Sequence, residues 1–255
     1  MLSCEALTIR FGGLAAIDNL DFYVSAGTIH GLIGPNGSGK TTLFNLISGI
    51  YRPTSGSIIF EGKNLAGRRT DQVTRAGIAR TFQNIRLFGD MTVWENLLVG
   101  RHCRLKQTIF DDLLATSAKR REEAIACEKL EKLLQRFKME GLRDELAKNL
   151  SYGMQRELEI MRAMASEPRL LLLDEPAAGM NPQETAQLMQ QIQNLREMGF
   201  TVLVVEHDMR LVMNICDRIT VLNYGKKIAE GAPREIQTHP EVIRAYLGKQ
   251  VTGNA

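Results

Sequence analysis

The run Gly34-Pro35-Asn36-Gly37-Ser38-Gly39-Lys40-Thr41 constrains this chain more than any other feature, because it fills every fixed position of G-x-x-x-x-G-K-[ST]. An apolar stretch from Ile29 to Ile33 precedes it. A helix is expected from about Lys40 to just before Gly49, a residue type favoured past a helix end. Strand, glycine-rich loop and helix in that order let backbone N–H groups curl around phosphate oxygens, and the helix N-terminus adds partial positive charge. Lys40 is then the group that reaches the β- and γ-phosphates, and the Thr41 hydroxyl is placed for Mg²⁺. Residues Gly34 to Thr41, with Thr42 beside them, are the candidate phosphate-binding set.

A second pattern asks for the same chemistry. Leu170 to Leu173 form a buried-strand run that delivers Asp174 and Glu175 to the end of a sheet. Asp174 suits Mg²⁺ with its water shell, and Glu175 suits a general base polarising an attacking water. Two carboxylates so placed favour hydrolysis over binding alone.

Around these motifs, strands are expected at Leu7–Phe11, Leu20–Val24, Ile29–Ile33 and Ser57–Phe60. From Asn84 to Glu167 the pattern is helical, including a helix from Ser117 to Phe137 with Ala126, Leu130, Leu133, Leu134 and Phe137 on one stripe. Strand and helix then alternate: Leu170–Leu173, Asn181–Met198, Thr201–Val205, Met209–Asn214 and Arg218–Leu222. Asn181, Pro182 and Glu184 supply an N-cap, an N1 proline and a capping-box acid. The alternation implies an α/β fold with a parallel sheet, interrupted by a helical insertion.

Composition removes other classes. With 255 residues, 44% hydrophobic and 24% charged, the chain is globular in make-up. A net charge of +3 is too small to argue for nucleic acid. Cys4, Cys103, Cys127 and Cys216 are far apart and unaccompanied by histidines, so they are expected as buried thiols in a reducing compartment, without zinc. No apolar run approaches the length of a membrane span. The first residues lack a basic-then-apolar signal, so a soluble, intracellular chain is expected, with any membrane role peripheral.

Taken in order, the motifs resemble the ATP-binding cassette family, the ATPase subunits of ABC transporters, over nearly the whole length. The resemblance implies an α/β nucleotide-binding cassette with an N-terminal antiparallel β subdomain. Residues 1–83 and 168–255 would form the nucleotide-binding core, and 84–167 a helical insertion carrying the signature loop. It implies that Phe11 stacks on adenine, where Tyr is the commoner residue, and that Gln83 touches Mg²⁺ or water and joins core to insertion. It implies that His207 contacts the γ-phosphate, and that Ser151 and Gly153, in Leu150-Ser151-Tyr152-Gly153-Met154-Gln155, bind the γ-phosphate of a second subunit. That loop departs from the usual L-S-G-G-Q at Tyr152 and Met154, and Gln155 falls one residue late, about a quarter-turn round a helix. Asn181 stands where the family usually has Asp.

Within the family, Arg10 to Leu14, Thr81 to Phe88, Ala177 to Pro182 and Val242 to Gly248 resemble the ATPases of branched-chain amino-acid importers, as does the extra segment Arg104 to Arg121. Urea or amide importers and lipopolysaccharide exporters share parts of this set. The resemblance implies ATP and Mg²⁺ as ligands, and transmembrane permease subunits plus a second ATPase subunit as partners. No nucleic acid is implied, and the place is peripheral, on the cytoplasmic side of a bacterial inner membrane. Phe88 and Met91 are the expected exposed residues of the permease-facing segment, with Val93 and Trp94 nearer the core, and the short basic runs at Gly67–Arg69 and Lys119–Arg121 are expected as solvated faces. Cassette ATPases of chromosomes insert hundreds of coiled-coil residues between phosphate loop and signature; here about 110 separate Lys40 from Ser151. Ribosomal ATP switches carry two cassettes, and this chain has one of each motif.

Overall fold

The computed structural model describes residues 1–104 and 117–247. Along the chain run β1 (Leu2–Phe11), β2 (Leu14–Val24), β3 (Ile29–Ile33), α1 (Lys40–Ile47), β4 (Ser55–Phe60), β5 (Lys63–Asn64), α2 (Thr70–Ala76) and β6 (Ile78–Arg80). Next come α3 (Val93–Arg101), α4 (Ser117–Phe137) and α5 (Tyr152–Ala165). The chain continues with β7 (Leu170–Asp174), α6 (Pro182–Glu197), β8 (Thr201–Val205), α7 (Met209–Ile215), β9 (Arg218–Asn223), β10 (Lys226–Gly231), α8 (Pro233–Thr238) and α9 (Pro240–Leu247). Two compact units result, Met1–Gln83 with Arg169–Ala255, and Asn84–Pro168.

The first unit holds two sheets. One is antiparallel in the order β2-β1-β4-β5; the other runs β10-β9-β3-β8-β7-β6, parallel except for β10 at its edge. Strands β3, β7 and β8 are buried at every position, which is why their sequences are unbroken apolar runs rather than alternations. One apolar core joins the sheets: Leu2, Leu7, Phe22 and Phe60 from the antiparallel side, Leu43, Phe44 and Ile47 from α1, and Leu32, Leu172 and Leu203 from the parallel side.

β1 and β2 begin well before the expected Leu7 and Leu20. Their register shifts between Cys4 and Leu7, and Ala6 and Asn19 adopt positive φ, so a bulge breaks the alternation that a sequence pattern relies on. β10 arises from the tight turn at Tyr224 and Gly225, both with positive φ. α6 starts as its sequence implies, with Asn181 accepting from Gln183 and Glu184 N–H and Glu184 completing the capping box.

In the second unit, Thr92 and Glu95 form the capping box of α3. Asn96, fully buried, accepts from Phe88 N–H and donates to Phe88, Met91 and Thr92 carbonyls, fixing the turn that enters the helix. At Gly100, a Cβ would run into the Arg162 carbonyl, so α3 and α5 pack backbone against backbone. On α4, Ala126, Leu130, Leu133 and Leu134 are buried and Phe137 half-buried. Cys127 follows that stripe onto the outer face and is exposed, and Cys103 is half-buried; only Cys4 and Cys216 are the buried thiols expected of all four. Burial pushes the Cys4 thiol up to about 12. Most of the segment Arg104 to Arg121 lies outside the described residues. No helix among the described residues is long and apolar enough to cross a membrane.

Candidate functional site

The loop after β3 is shaped by its glycines. Gly34, Gly37 and Gly39 have φ of +152°, +78° and +106°, and a Cβ on Gly34 would strike the Leu222 carbonyl and the Ser38 hydroxyl. Ser38 N–H donates to the Pro35 carbonyl at 3.1 Å, and the Ser38 carbonyl accepts from Gly225 N–H at 2.9 Å, so the β9–β10 turn braces the loop. Lys40 is buried, its Nζ donating to the Gly34 and Pro35 carbonyls at 2.7 and 3.0 Å. The Ser38 Oγ is buried without a hydrogen-bond partner. Asn36, Gly37 and Thr41 are exposed and Thr42 half-buried. An ammonium, a buried hydroxyl in want of a partner and a glycine-lined concavity at the N-terminus of α1 fit a phosphate chain.

At the neighbouring strand ends, β7 delivers Asp174 to a buried position, where its Oδ2 receives Arg80 Nη2 at 2.7 Å. The same guanidinium donates through Nη1 to Asn45 Oδ1 at 2.7 Å and Ser48 Oγ at 3.1 Å, and its centre lies 5.5 and 5.2 Å from the Phe44 and Phe82 rings. An exposed Thr41 hydroxyl and a carboxylate are the hard oxygen donors that Mg²⁺ takes, so these residues fit that ion.

Glu175 departs from ordinary backbone geometry, with φ 46°. Its N–H donates to the Val205 carbonyl at 2.9 Å, and its Oε2 accepts from Gln83 Nε2 at 2.7 Å and lies 3.7 Å from His207 Nδ1. Gln83, Glu175 and His207 are thus brought together from three separate stretches of sequence. A residue strained in this way costs energy of order 1–3 kcal/mol and persists where its surroundings dictate it. Such a carboxylate, oriented by an amide and near an imidazole, is equipped to take a proton from water.

Phe11 is exposed and meets Tyr51 edge-on, with ring centroids 5.3 Å apart. Ser151, in the helical unit, is the exposed N-cap of α5; its hydroxyl accepts from Met154 N–H at 3.4 Å, and Gly153 follows in the first turn. Gln155 is turned back onto the Leu150 carbonyl at 3.0 Å, while Tyr152 and Met154 are exposed. Phe88 and Met91 are exposed, and Val93 is buried.

Four residues escaped the sequence reading. Arg80, Tyr51 and Glu206 carry no motif of their own; their roles come from contacts across elements. Tyr246 on α9 sets its hydroxyl against the Gly34 backbone, and burial pushes that phenol up. The run Arg244-Ala245-Tyr246-Leu247 was the signal available, yet nothing local says that it returns to the phosphate loop.

Known proteins resemble the chain throughout. A family described as ABC transporter matches residues 17–178, and one described as branched-chain amino acid ATP-binding cassette transporter matches residues 226–252. The chain is 48% identical over 250 residues to the high-affinity branched-chain amino acid transport ATP-binding protein LivG of Salmonella typhimurium, covering 98% of each. It is 46% identical to the corresponding BraF of Pseudomonas aeruginosa, again over 98% of each. The lipopolysaccharide export system ATP-binding protein LptB of Haemophilus influenzae is 33% identical, with 98% of both chains covered. Among solved structures, the ADP conformation of an ATP-binding cassette of an ABC transporter superposes with a TM-score of 0.85 at 33% identity, over 97% of this chain and 98% of that one.

Proposed function

The chain belongs to the ABC transporter family as one of its ATP-binding, ATP-hydrolysing subunits, and from that premise we propose that it powers uptake of branched-chain amino acids. Subunits of this kind pair with membrane permeases. The observation that carries the reading is the cluster of Gln83, Glu175 and His207 at the strand ends beside the phosphate loop. The match of residues 226–252 to the branched-chain amino acid family favours that solute class over lipopolysaccharide.

In this reading the loop from Gly34 to Thr42 holds the triphosphate, Lys40 neutralises it, and Phe11 stacks on the base. Thr41, Asp174 and Gln83 would hold Mg²⁺, which would supply charge neutralisation at the phosphates. Glu175 takes the proton of the attacking water while Gln83 orients its carboxylate and His207 stands against the γ-phosphate. Ser151 and Gly153 serve the triphosphate bound to a second ATPase subunit, so that ATP joins two chains head to tail. The subunit sits on the cytoplasmic face of the membrane through its permease, with residues 1–83 and 168–255 as nucleotide core and 84–167 as the permease-facing insertion.

Two substitutions test the chemistry. Glu175→Gln should retain ATP binding while hydrolysis falls by roughly 10² or more. Lys40→Ala should weaken binding itself. Leucine, isoleucine and valine uptake by the complex purified with its permease tests the solute; a complex that moves none of them but exports lipid overturns it.

A further inference from the structure

Glu206 takes no part in the scheme above, yet it is the most completely engaged carboxylate near it. It follows Val205 at the end of β8 and is 1% exposed. One carboxylate oxygen accepts Ala177 N–H at 2.8 Å, and the other accepts His207 N–H at 3.1 Å and Asp208 N–H at 3.5 Å. The donors belong to two different turns: Ala177 to the turn after Glu175, His207 and Asp208 to the turn that presents the imidazole. Burial pushes the carboxyl up from its ordinary range, and the three N–H groups and His207 draw it back.

A buried carboxylate is an expensive way to fill space, since an apolar side chain would do so without desolvation cost. What it adds is reach to two backbones at once. Glu175 sits in left-handed geometry, tied to Val205 through its N–H and closed by Ala178 N–H onto its own carbonyl at 3.1 Å. The Ala177 bond is a further tie from that turn to the end of β8. His207 Nδ1 lies 3.7 Å from Glu175 Oε2 and 3.9 Å from Glu206 Oε2.

We propose that Glu206 is a positioning residue for ATP hydrolysis, its two oxygens clamping the turn that carries Glu175 to the turn that carries His207. The proposal rests on the reading of Glu175 and His207 as hydrolytic groups, and the test separates the two.

Glu206→Gln keeps the shape but offers one acceptor oxygen and an NH₂ donor. Whichever way the amide turns, one turn meets donor against donor and comes loose. In the full-length chain, kcat should fall tenfold or more while KM for ATP stays within about threefold, because the phosphate loop is untouched. His207→Ala should lower kcat strongly in the wild-type background and little further in the Glu206→Gln background, since groups acting as a unit are non-additive. A Glu206→Gln rate within twofold of wild type, a parallel change in kcat and KM, or fully additive effects with His207→Ala would overturn the clamp. If Glu175→Gln and His207→Ala themselves leave the wild-type rate unchanged, the underlying reading falls instead, and the clamp with it. Should Glu206→Gln not fold, Glu206→Asp, with both oxygens on a stem one carbon shorter, carries the same cycle and the same criteria.

Discussion

Arg80→Met removes the cation paired with Asp174 while keeping a long, apolar stem against Phe44 and Phe82. Both partners are buried, at 7% and 8% side-chain exposure, so solvent cannot take over the neutralisation. Deleting one member of such a pair costs about 3–5 kcal/mol, most of it the penalty of a buried charge left alone. At about 2–4 °C per kcal/mol for a unit of this size, melting should drop by roughly 6–20 °C. The assay is thermal unfolding in buffer free of nucleotide and divalent metal. Adding Asp174→Asn removes the uncompensated charge, so Arg80→Met/Asp174→Asn should melt above Arg80→Met alone. A single mutant within about 1 kcal/mol of wild type, or a double mutant showing the plain sum of two losses, would mean that Asp174 does not depend on Arg80 for its neutralisation.

Burial lowers His30 to about 4, where Thr220 Oγ1 lies 2.9 Å from its Nε2. Its folded value lies below the ordinary 6.5, so its contribution, up to about 3 kcal/mol, is complete above that pH and is lost as pH falls through 4. His30→Gln should flatten stability against pH over that window; an unchanged slope would dismiss His30 as its source. Gly100→Ala should destabilise by about 1–3 kcal/mol despite the helix preference for Ala, because the new methyl meets the Arg162 backbone; a gain in denaturation midpoint would contradict the close packing. Phe88→Asp or Met91→Asp should reduce permease binding with little change in the isolated subunit's ATPase rate, since both side chains are exposed; equal collapse of ATPase would make them core. Mixed into the reconstituted transporter, Ser151→Arg should damage the site on the partner's phosphate loop and spare its own ATP binding; a chain that hydrolyses ATP at full rate alone, indifferent to Ser151→Arg, would rule out the two-chain site.

What the chain declares by itself is whatever is local. The loop from Gly34 to Thr41 is legible from its own glycines and the strand and helix beside it, and the buried strands β3, β7 and β8 announce themselves because both faces are covered. The α6 start is likewise written in three residues within one turn, and an α/β fold follows from the alternation of such segments. Where a bulge offsets alternation, as at Ala6 and Asn19, the same pattern misplaces strand starts. On α4, period alone does not tell a thiol facing the core from one beside the stripe, and Cys127 is exposed. The contacts among Gln83, Glu175 and His207, the hold of Arg80 on Asp174 and the span of Glu206 between two turns join positions tens of residues or more apart. Parallel strands laid side by side create those neighbours: β7 and β8 pair Asp174 with Val205, so the residues just beyond them meet at one edge. A distance of that kind is a property of strand order and register, which only the folded chain decides.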